Sequence, residues 1–374
     1  MGPEVSGRGG PLAGVRVVEL GGIGPGPFCG MLLADLGADV VRVDRPEQAG
    51  SDSDHPILHR GRRSIVLDLK DPAGVAVARR LIATADALIE GYRPGVTERL
   101  GLGPDECLAD NPRLVYGRIT GWGQDGPLNQ EPGHDINYIA VAGALGAVGP
   151  AGGDPVVPLN LVGDMGGGGL LLALGICAAL LRARETGQGQ VVDAAMTDGA
   201  AIQLALVQGL LATGRWSDQR GANLLDGAAP FYRTYRCADG GHVALGCIEP
   251  PFYANALRVL GLDADPLFAD QFDPAQWPAM GTRLAEVFAG QTRDEWTRRF
   301  AGQEACLSPV LSFAEAAAYP HNAARGTYTV DGSGVPVPGT APRFLGTPAD
   351  PPHTAPTIGA HTAEVLAELG LDGA

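Results

Sequence analysis

The chain has 374 residues, 45% of them hydrophobic and 18% charged, with a net charge of −15. That length suggests two domains, and the composition is that of a soluble globular protein with ample core. The acidic balance repels phosphate backbones and argues against nucleic acid as a partner, although a local basic patch can still hold a small phosphorylated ligand.

Val15 to Leu20 reads as a buried strand and Gly21 to Gly26 as a glycine–proline turn. Phe28 to Leu36 follows as a helix ended by Gly37, then Asp39 to Val43 as the next strand. This is a βαβ unit and points to a parallel sheet. Further units follow: a strand over Ser64 to Leu69, a helix over Pro72 to Ala83 capped by Asp71, and strands over Ala87 to Glu90 and Leu114 to Ile119. Leu170 to Arg184 is an apolar helix, Gly189 to Asp193 leads into a strand, and Asp198 to Thr213 is another helix. Residues 10–195 therefore read as a large, doubly wound, Rossmann-like α/β domain, followed by a linker helix region over 196–228.

After Trp216 the texture changes. Tyr232 to Cys237 and His242 to Ile248 flank Ala238-Asp239-Gly240-Gly241, a hairpin signature. With helices at 251–260, 276–289 and 293–302, residues 229–325 read as a smaller α+β domain. Residues 326–374 return as a linker, with a Pro/Gly-rich arm over Val335 to Pro352 and a last helix over His361 to Leu369; residues 335–374 would complete the large domain.

The six cysteines are scattered and form no CxxC pair, so buried free thiols are expected, with neither zinc nor a disulfide framework. No signal peptide is seen before the first strand, and a cytoplasmic location is expected. The uncharged run from Met165 to Leu181 approaches the length of a membrane span, yet it opens on Gly166 to Gly169 and is bounded by Asp164 and Arg182; a buried helix and no membrane are expected. Lys70 is the only lysine, which argues against a pyridoxal-phosphate enzyme, since that chemistry needs a Schiff-base lysine.

The first glycine turn invites a dinucleotide reading, but Gly22-Ile23-Gly24-Pro25-Gly26-Pro27-Phe28-Cys29-Gly30 misplaces the third glycine, and Pro25 and Pro27 remove amide donors. Asp44 stands where a ribose-binding acid would, a common residue at strand ends. Chemistry concentrates elsewhere. His134 follows Gly133 and opens a helix over Ile136 to Ala142, where free amide donors and a positive dipole end can stabilise an enolate oxygen. Asp135 has an ordinary role available as a cap of that helix. Asp164 could cap the next helix, but its glycine run is costly within a helix unless a ligand or another backbone must approach closely. Glu249 precedes Pro250-Pro251 at a strand end, a position open to a surface carboxylate or a cap. Arg45, Arg60, Arg62, Arg63, Lys70 and Arg93 bracket the first βα edges, either as solvated charge or as a phosphate cluster.

The blocks Gly14 to Leu20, Leu36 to Val41, Glu90 to Val96, Gly133 to Tyr138, Leu159 to Asp164 and Arg220 to Gly227 run in order over nearly the whole chain. Together they resemble α-methylacyl-CoA racemases of the family III CoA-transferase superfamily. The resemblance implies His134 and Asp164 as two bases on opposite faces of a thioester α-carbon, with Glu249 orienting His134. It implies CoA contacts at Arg45, at Leu67, Asp68, Leu69 and Lys70, at Gly91, Tyr92, Arg93, Pro94, Gly95 and Val96, and at Gly133, Asp135, Ile136, Asn137 and Tyr138. It also implies an interlocked homodimer with an active site shared between two subunits, an acyl-CoA thioester as substrate, and neither metal nor cofactor beyond the CoA the substrate carries. The alternative from the same superfamily is a CoA-transferase with Asp164 as nucleophile. A non-catalytic acyl-CoA-binding protein is a third reading.

Overall fold

The computed structural model describes residues 9–330 and 334–371. The chain forms two compact units, one from the residues up to Ala142, Leu159–Gln203 and those from Tyr319 on, the other from Gly143–Pro158 and Leu204–Ala318.

The first unit carries strands β1 (Arg16–Leu20), β2 (Asp39–Asp44), β3 (Arg63–Val66), β4 (Ala87–Glu90), β5 (Val115–Thr120) and β6 (Gln190–Ala195). They form one parallel sheet in the order β3-β2-β1-β4-β5-β6. Alternate residues feed two cores. Val17, Val40, Ile89 and Val115 face one side with Leu33, Leu172 and Ile176. Val18, Val41, Leu88 and Tyr116 face the other with Leu81, Ile82 and Val365. A parallel sheet buried on both faces needs such near-continuous apolar strands.

Helices α1 (Pro25–Asp35), α2 (Pro72–Ala83), α3 (Val96–Arg99), α4 (Pro104–Asp110) and α5 (Asp135–Val141) connect the first strands. Pro25 starts α1 earlier than the expected Phe28, because a proline at the first helical position has its φ preset and needs no amide partner. Asp71 caps α2 as expected, accepting from the Ala73 amide at 2.9 Å. The strand order reverses direction between β1 and β4, the switch point where parallel α/β sheets open a ligand crevice at their carboxyl ends.

The largest departure from expectation is at the glycine run. A helix was read from Leu170; the structure begins one at Leu161, as a π-helix over Leu161–Leu170 that continues into α7 (Leu171–Thr186). The glycines lie inside it because neighbouring backbone passes close. A Cβ on Gly167 would meet the Ala200 nitrogen at 2.8 Å, and one on Gly169 would meet the Pro25 oxygen at 2.5 Å. The neighbour at Ala200 is α8 (Met196–Gln203), which carries the first unit past residue 195. The helix Leu161–Thr186 is long and apolar enough to cross a membrane, and it is partly buried. Leu172, Ile176, Ala179 and Leu180 pack on the sheet, while Leu170, Leu174 and Leu181 are exposed, so the expected buried helix is covered on one face only.

Later pieces return to the first unit: α14 (Pro320–Arg325), the antiparallel pair β10 (Tyr328–Val330) and β11 (Pro336–Pro338), and α15 (Thr362–Glu368). β3 is one of the sheet's two edge strands. The entry to α15 covers that edge: the His361 amide donates to the Ser64 carbonyl at 2.9 Å, the Ser64 amide to His361 Nδ1 at 3.1 Å, and the Val66 amide to Thr362 Oγ1 at 3.2 Å.

The second unit contains α6 (Ala144–Ala147), α9 (Ala205–Ala212), a three-stranded antiparallel sheet and helices α10 (Pro250–Leu260), α11 (Trp277–Phe288), α12 (Arg293–Phe300) and α13 (Phe313–Ala318). The sheet is β7 (Tyr232–Arg236), β8 (His242–Gly246) and β9 (Leu307–Val310), with the predicted hairpin joining β7 and β8 and Gly240 at φ +80° in its turn. Its core is aromatic: Phe231, Tyr235, Phe288, Trp296 and Phe300. The helix expected over Asp198 to Thr213 is instead two helices, α8 in the first unit and α9 in the second.

Candidate active site

The segments read from the sequence as CoA contacts share one end of the parallel sheet. Arg45 follows β2, Leu67 to Lys70 follow β3, Gly91 to Val96 follow β4, and the long connection after β5 carries Gly133 to Tyr138. The glycine turn after β1 joins them. Ligands of such sheets bind outside the carboxyl ends of the strands.

In Gly133-His134-Asp135-Ile136-Asn137-Tyr138, five of the six residues have a visible task. His134 is the exposed N-cap of α5, with extended backbone at φ −130° and ψ 175°. Its amide donates to Asn137 Oδ1 at 3.0 Å, so Asn137 fixes the residue that carries the imidazole. Tyr138 folds its ring back and its hydroxyl donates to the Gly133 carbonyl. A Cβ on Gly133 would stand 2.7 Å from that ring, and one on Gly121 2.1 Å, while Trp122 meets the ring edge-on at 4.8 Å. Glycine is needed at position 133 for space. Ile136 is exposed.

Asp135 is buried, and its Oδ2 accepts from both the Gly163 and the Asp164 amides, each at 2.7 Å. Asp135 therefore does not cap its own helix, whose N-cap is His134. It ties the start of α5, bearing His134, to the first turn of the π-helix, bearing Asp164. Its side chain is engaged in that tie within the protein.

Asp164 does not cap the helix, which begins before it. Asn160, four residues earlier, donates from Nδ2 to Asp164 Oδ2 at 3.0 Å. Gly24 of the first glycine turn has φ +67°, and a Cβ there would stand 3.2 Å from Asp164 Oδ2. That turn is thus a wall beside the carboxylate. Burial raises the Asp164 pKa above its ordinary value; the Asn160 hydrogen bond opposes this, the Asp135 carboxylate adds to it, and His134 opposes it. Burial likewise raises Tyr138, with Asp164 adding to the effect and Arg93 opposing it. His134, Asp135, Tyr138, Arg93 and Asp164 therefore share one electrostatic neighbourhood. The Asn160 spacing is the i, i+4 signal of a helical pair and is visible in the sequence. The Gly24 approach has no local signal.

The arginines separate into two groups. Arg60 pairs with Asp35 at 2.5 Å and Arg62 with the fully buried Glu19 at 2.7 Å; Arg63 joins Asp39 and Glu368 at β3. These three hold the fold together and are not phosphate ligands. Arg45, Lys70 and Arg93 are exposed, and among the described residues their side chains meet no ion-pair partner. Tyr92 is half-buried beside Glu90, its amide donating to Glu90 Oε2 at 2.8 Å, and Arg45 acts on it electrostatically. Leu67 is buried in the core, so its side chain is unavailable to a ligand; Asp68 and Leu69 continue the loop, and Asp68 Oδ1 accepts from the Lys70 amide. Pro94 accepts from Gln130, and Gly95 turns the chain into α3 at φ +83°. Asp44 is buried against Arg42 and Ser64, both at 2.7 Å, so it is no ribose ligand.

Glu249 belongs to the second unit, where it is the N-cap residue of α10 without a side-chain capping bond. The Arg220 to Gly227 block is a self-bonded loop: Asp226 accepts from the amides of Gly221, Ala222, Asn223 and Ala228. Of the six cysteines, Cys29, Cys107, Cys237 and Cys247 are buried, whereas Cys177 is half-buried and Cys306 exposed, so burial holds for four of the six. Among the described residues no group of three or more His, Cys, Asp or Glu is placed to hold a metal.

The description "CoA-transferase family III" matches residues 12–362. Alpha-methylacyl-CoA racemase of Mus musculus is 48% identical over 361 residues, covering 96% of this chain and 93% of its own length. The Homo sapiens protein of the same name is also 48% identical, covering 96% and 94%. The crystal structure of a CAIB/BAIF family protein from Brucella suis superposes with a TM-score of 0.84 at 29% identity, covering 97% of this chain and all of that one. Matches of this extent show that the chain belongs to CoA-transferase family III.

Proposed function

We propose that this protein interconverts the 2R and 2S forms of 2-methylacyl-CoA thioesters, with His134 and Asp164 as its two bases. The observation that carries the reading is the pairing itself: an exposed imidazole and a pKa-raised carboxyl at the starts of two helices tied by one buried carboxylate. The names of the relatives at 48% identity support it.

The chemistry balances without redox change. Neutral His134 takes the α-proton from one face, leaving an enolate and an imidazolium. Protonated Asp164 delivers a proton to the opposite face and becomes a carboxylate. The enzyme is then set for the reverse direction, so the active form carries one proton shared between the two bases. Burial shifts Asp164 towards its protonated form, the form that donates. Each positioned base contributes about 10²–10⁴-fold. The first amides of α5 lack helical partners, and a donor to the enolate oxygen is worth about 10²–10³-fold. Arg45, Lys70 and Arg93 supply free cations for the CoA phosphates.

The same reading takes the working form to be an interlocked homodimer in which a second copy supplies Glu249 to orient His134. The exposed Leu170, Leu174 and Leu181 on one helix face support a protein partner for that face.

Incubation of one enantiomer of a 2-methylacyl-CoA in D₂O, followed by chiral analysis and mass spectrometry, tests the proposal. Deuterium at Cα with loss of enantiomeric purity is expected. No exchange, but CoA transfer to an added carboxylate, would make Asp164 a nucleophile instead. Binding without either would leave an acyl-CoA carrier.

A further inference from the structure

We infer that Asp135 is a positioning residue for the reaction: its side chain fixes the geometry and proton affinity of Asp164 relative to His134. This rests on the racemase reading above. The residue is 5% exposed, and Oδ2 takes two backbone amides at 2.7 Å, one of them the amide of Asp164 itself. Both partners lie nearly thirty residues away in sequence, so the bonds join two helix starts rather than stabilising one. Space is reserved for the tie as well: a Cβ on Gly163 would stand 2.6 Å from Asp135 Oδ2. Oδ1 is buried with no hydrogen-bond partner. A fold that wanted only a helix cap would keep this group near solvent, where a half-satisfied carboxylate costs less. Burial raises the Asp164 pKa first, and the neighbouring Asp135 carboxyl adds to that effect. The other groups facing Asp164 are His134, Tyr138 and the Asn160 amide. Among them Asp135 is the one that both orients the Asp164 backbone and favours its protonated form.

The assignment separates two substitutions. Asp135→Asn can keep an oxygen acceptor at the same place while removing the charge. Asp135→Ala removes both. Initial rates of inversion and of α-deuterium exchange are measured against pH for the wild type and both variants, as kcat and KM separately. Wild-type exchange tests the racemase reading itself; the variants test the tie only once that exchange is seen. Asp135→Ala is expected to lower kcat about a hundredfold, the cost of a misplacement near 1 Å, with KM changed less than about twofold. Asp135→Asn is expected to recover most of kcat and to shift the acid limb of the pH profile to lower pH. An acid limb unmoved in Asp135→Asn, with equal kcat losses in both variants, would reduce Asp135 to a structural role. A rise in KM at unchanged kcat would make it a substrate contact. If Asp135→Ala does not fold, the acid limb of Asp135→Asn alone decides.

Discussion

Replacing Gly163 by alanine tests the tie between the two helix starts from its other side. The backbone there needs no glycine φ, so the perturbation is purely one of space. The new methyl would stand 2.6 Å from Asp135 Oδ2, 2.9 Å from its Cγ and 3.2 Å from Ile139 Cγ2, where ordinary contact begins at 3.4 Å. The carboxylate or the π-helix must therefore retreat by most of an ångström. That lengthens two charge-assisted bonds, each worth about 1.5–3 kcal/mol, and crowds a packed site at about 1–3 kcal/mol. The bonds will adjust rather than vanish, so a net loss of about 2–4 kcal/mol is expected. The same displacement moves Asp164 off the α-carbon and is expected to cut kcat about a hundredfold. Urea unfolding and α-deuterium exchange give the two numbers. Stability within about 0.5 kcal/mol of wild type, with unchanged kcat, would refute the argument that the amides of 163 and 164 hang on Asp135.

His134→Ala is expected to abolish inversion while the protein stays folded by circular dichroism; retained activity would remove the imidazole from the mechanism. Asp164→Asn is expected to block proton return on one face, seen as exchange from one enantiomer only. Arg45→Ala and Arg93→Ala are expected to raise KM for acyl-CoA about tenfold or less, with the effect shrinking at high salt. Arg62→Ala is expected instead to cost about 3–5 kcal/mol of stability, because it leaves Oε2 of the buried Glu19 carboxylate without its guanidinium while Arg42 holds only Oε1. His59 is pushed down to about 3, chiefly by burial and then by Arg42 and Arg62, so it stays neutral in the folded state. The unfolded chain takes up that proton as pH falls below about 6.5, so stability should fall from there towards about pH 3, and His59→Gln should flatten that part of the slope in denaturant titrations.

Much of the fold was legible because its signals are local. Val17-Val18 and Val40-Val41 announce strands buried on both faces, and Asp71-Pro72 announces a helix start. Other signals mislead for physical reasons. The glycines at 166–169 look like a helix boundary because propensity is scored along the chain, whereas their requirement comes from Ala200 and Pro25 across space. The arginines at 60, 62 and 63 look like a phosphate cluster because their carboxylate partners, Asp35, Glu19, Asp39 and Glu368, are distant in sequence. At the site, the imidazole and the carboxyl stood out by their place beside glycines at breaks in regular structure, and their pairing as bases came from the family resemblance. Asp135 was seen only as a cap or a ligand contact, because a tie between two helix starts shows once both have been folded. Gly24 beside Asp164 was hidden for the same reason.

The hydrogen bonds from His361 and Thr362 to β3 bear on how the chain is made. β3 emerges early from the ribosome, but the segment that shields its outer edge comes only after the whole stretch Leu204–Ala318. Nearly three hundred residues separate Val66 from His361, and at about 5–20 residues per second that interval is about 15–60 seconds. Through it the nascent first unit carries a bare strand able to pair with another chain. Variants that loosen His361 or Thr362 should therefore lower soluble yield during expression more than they lower the melting temperature of the finished protein.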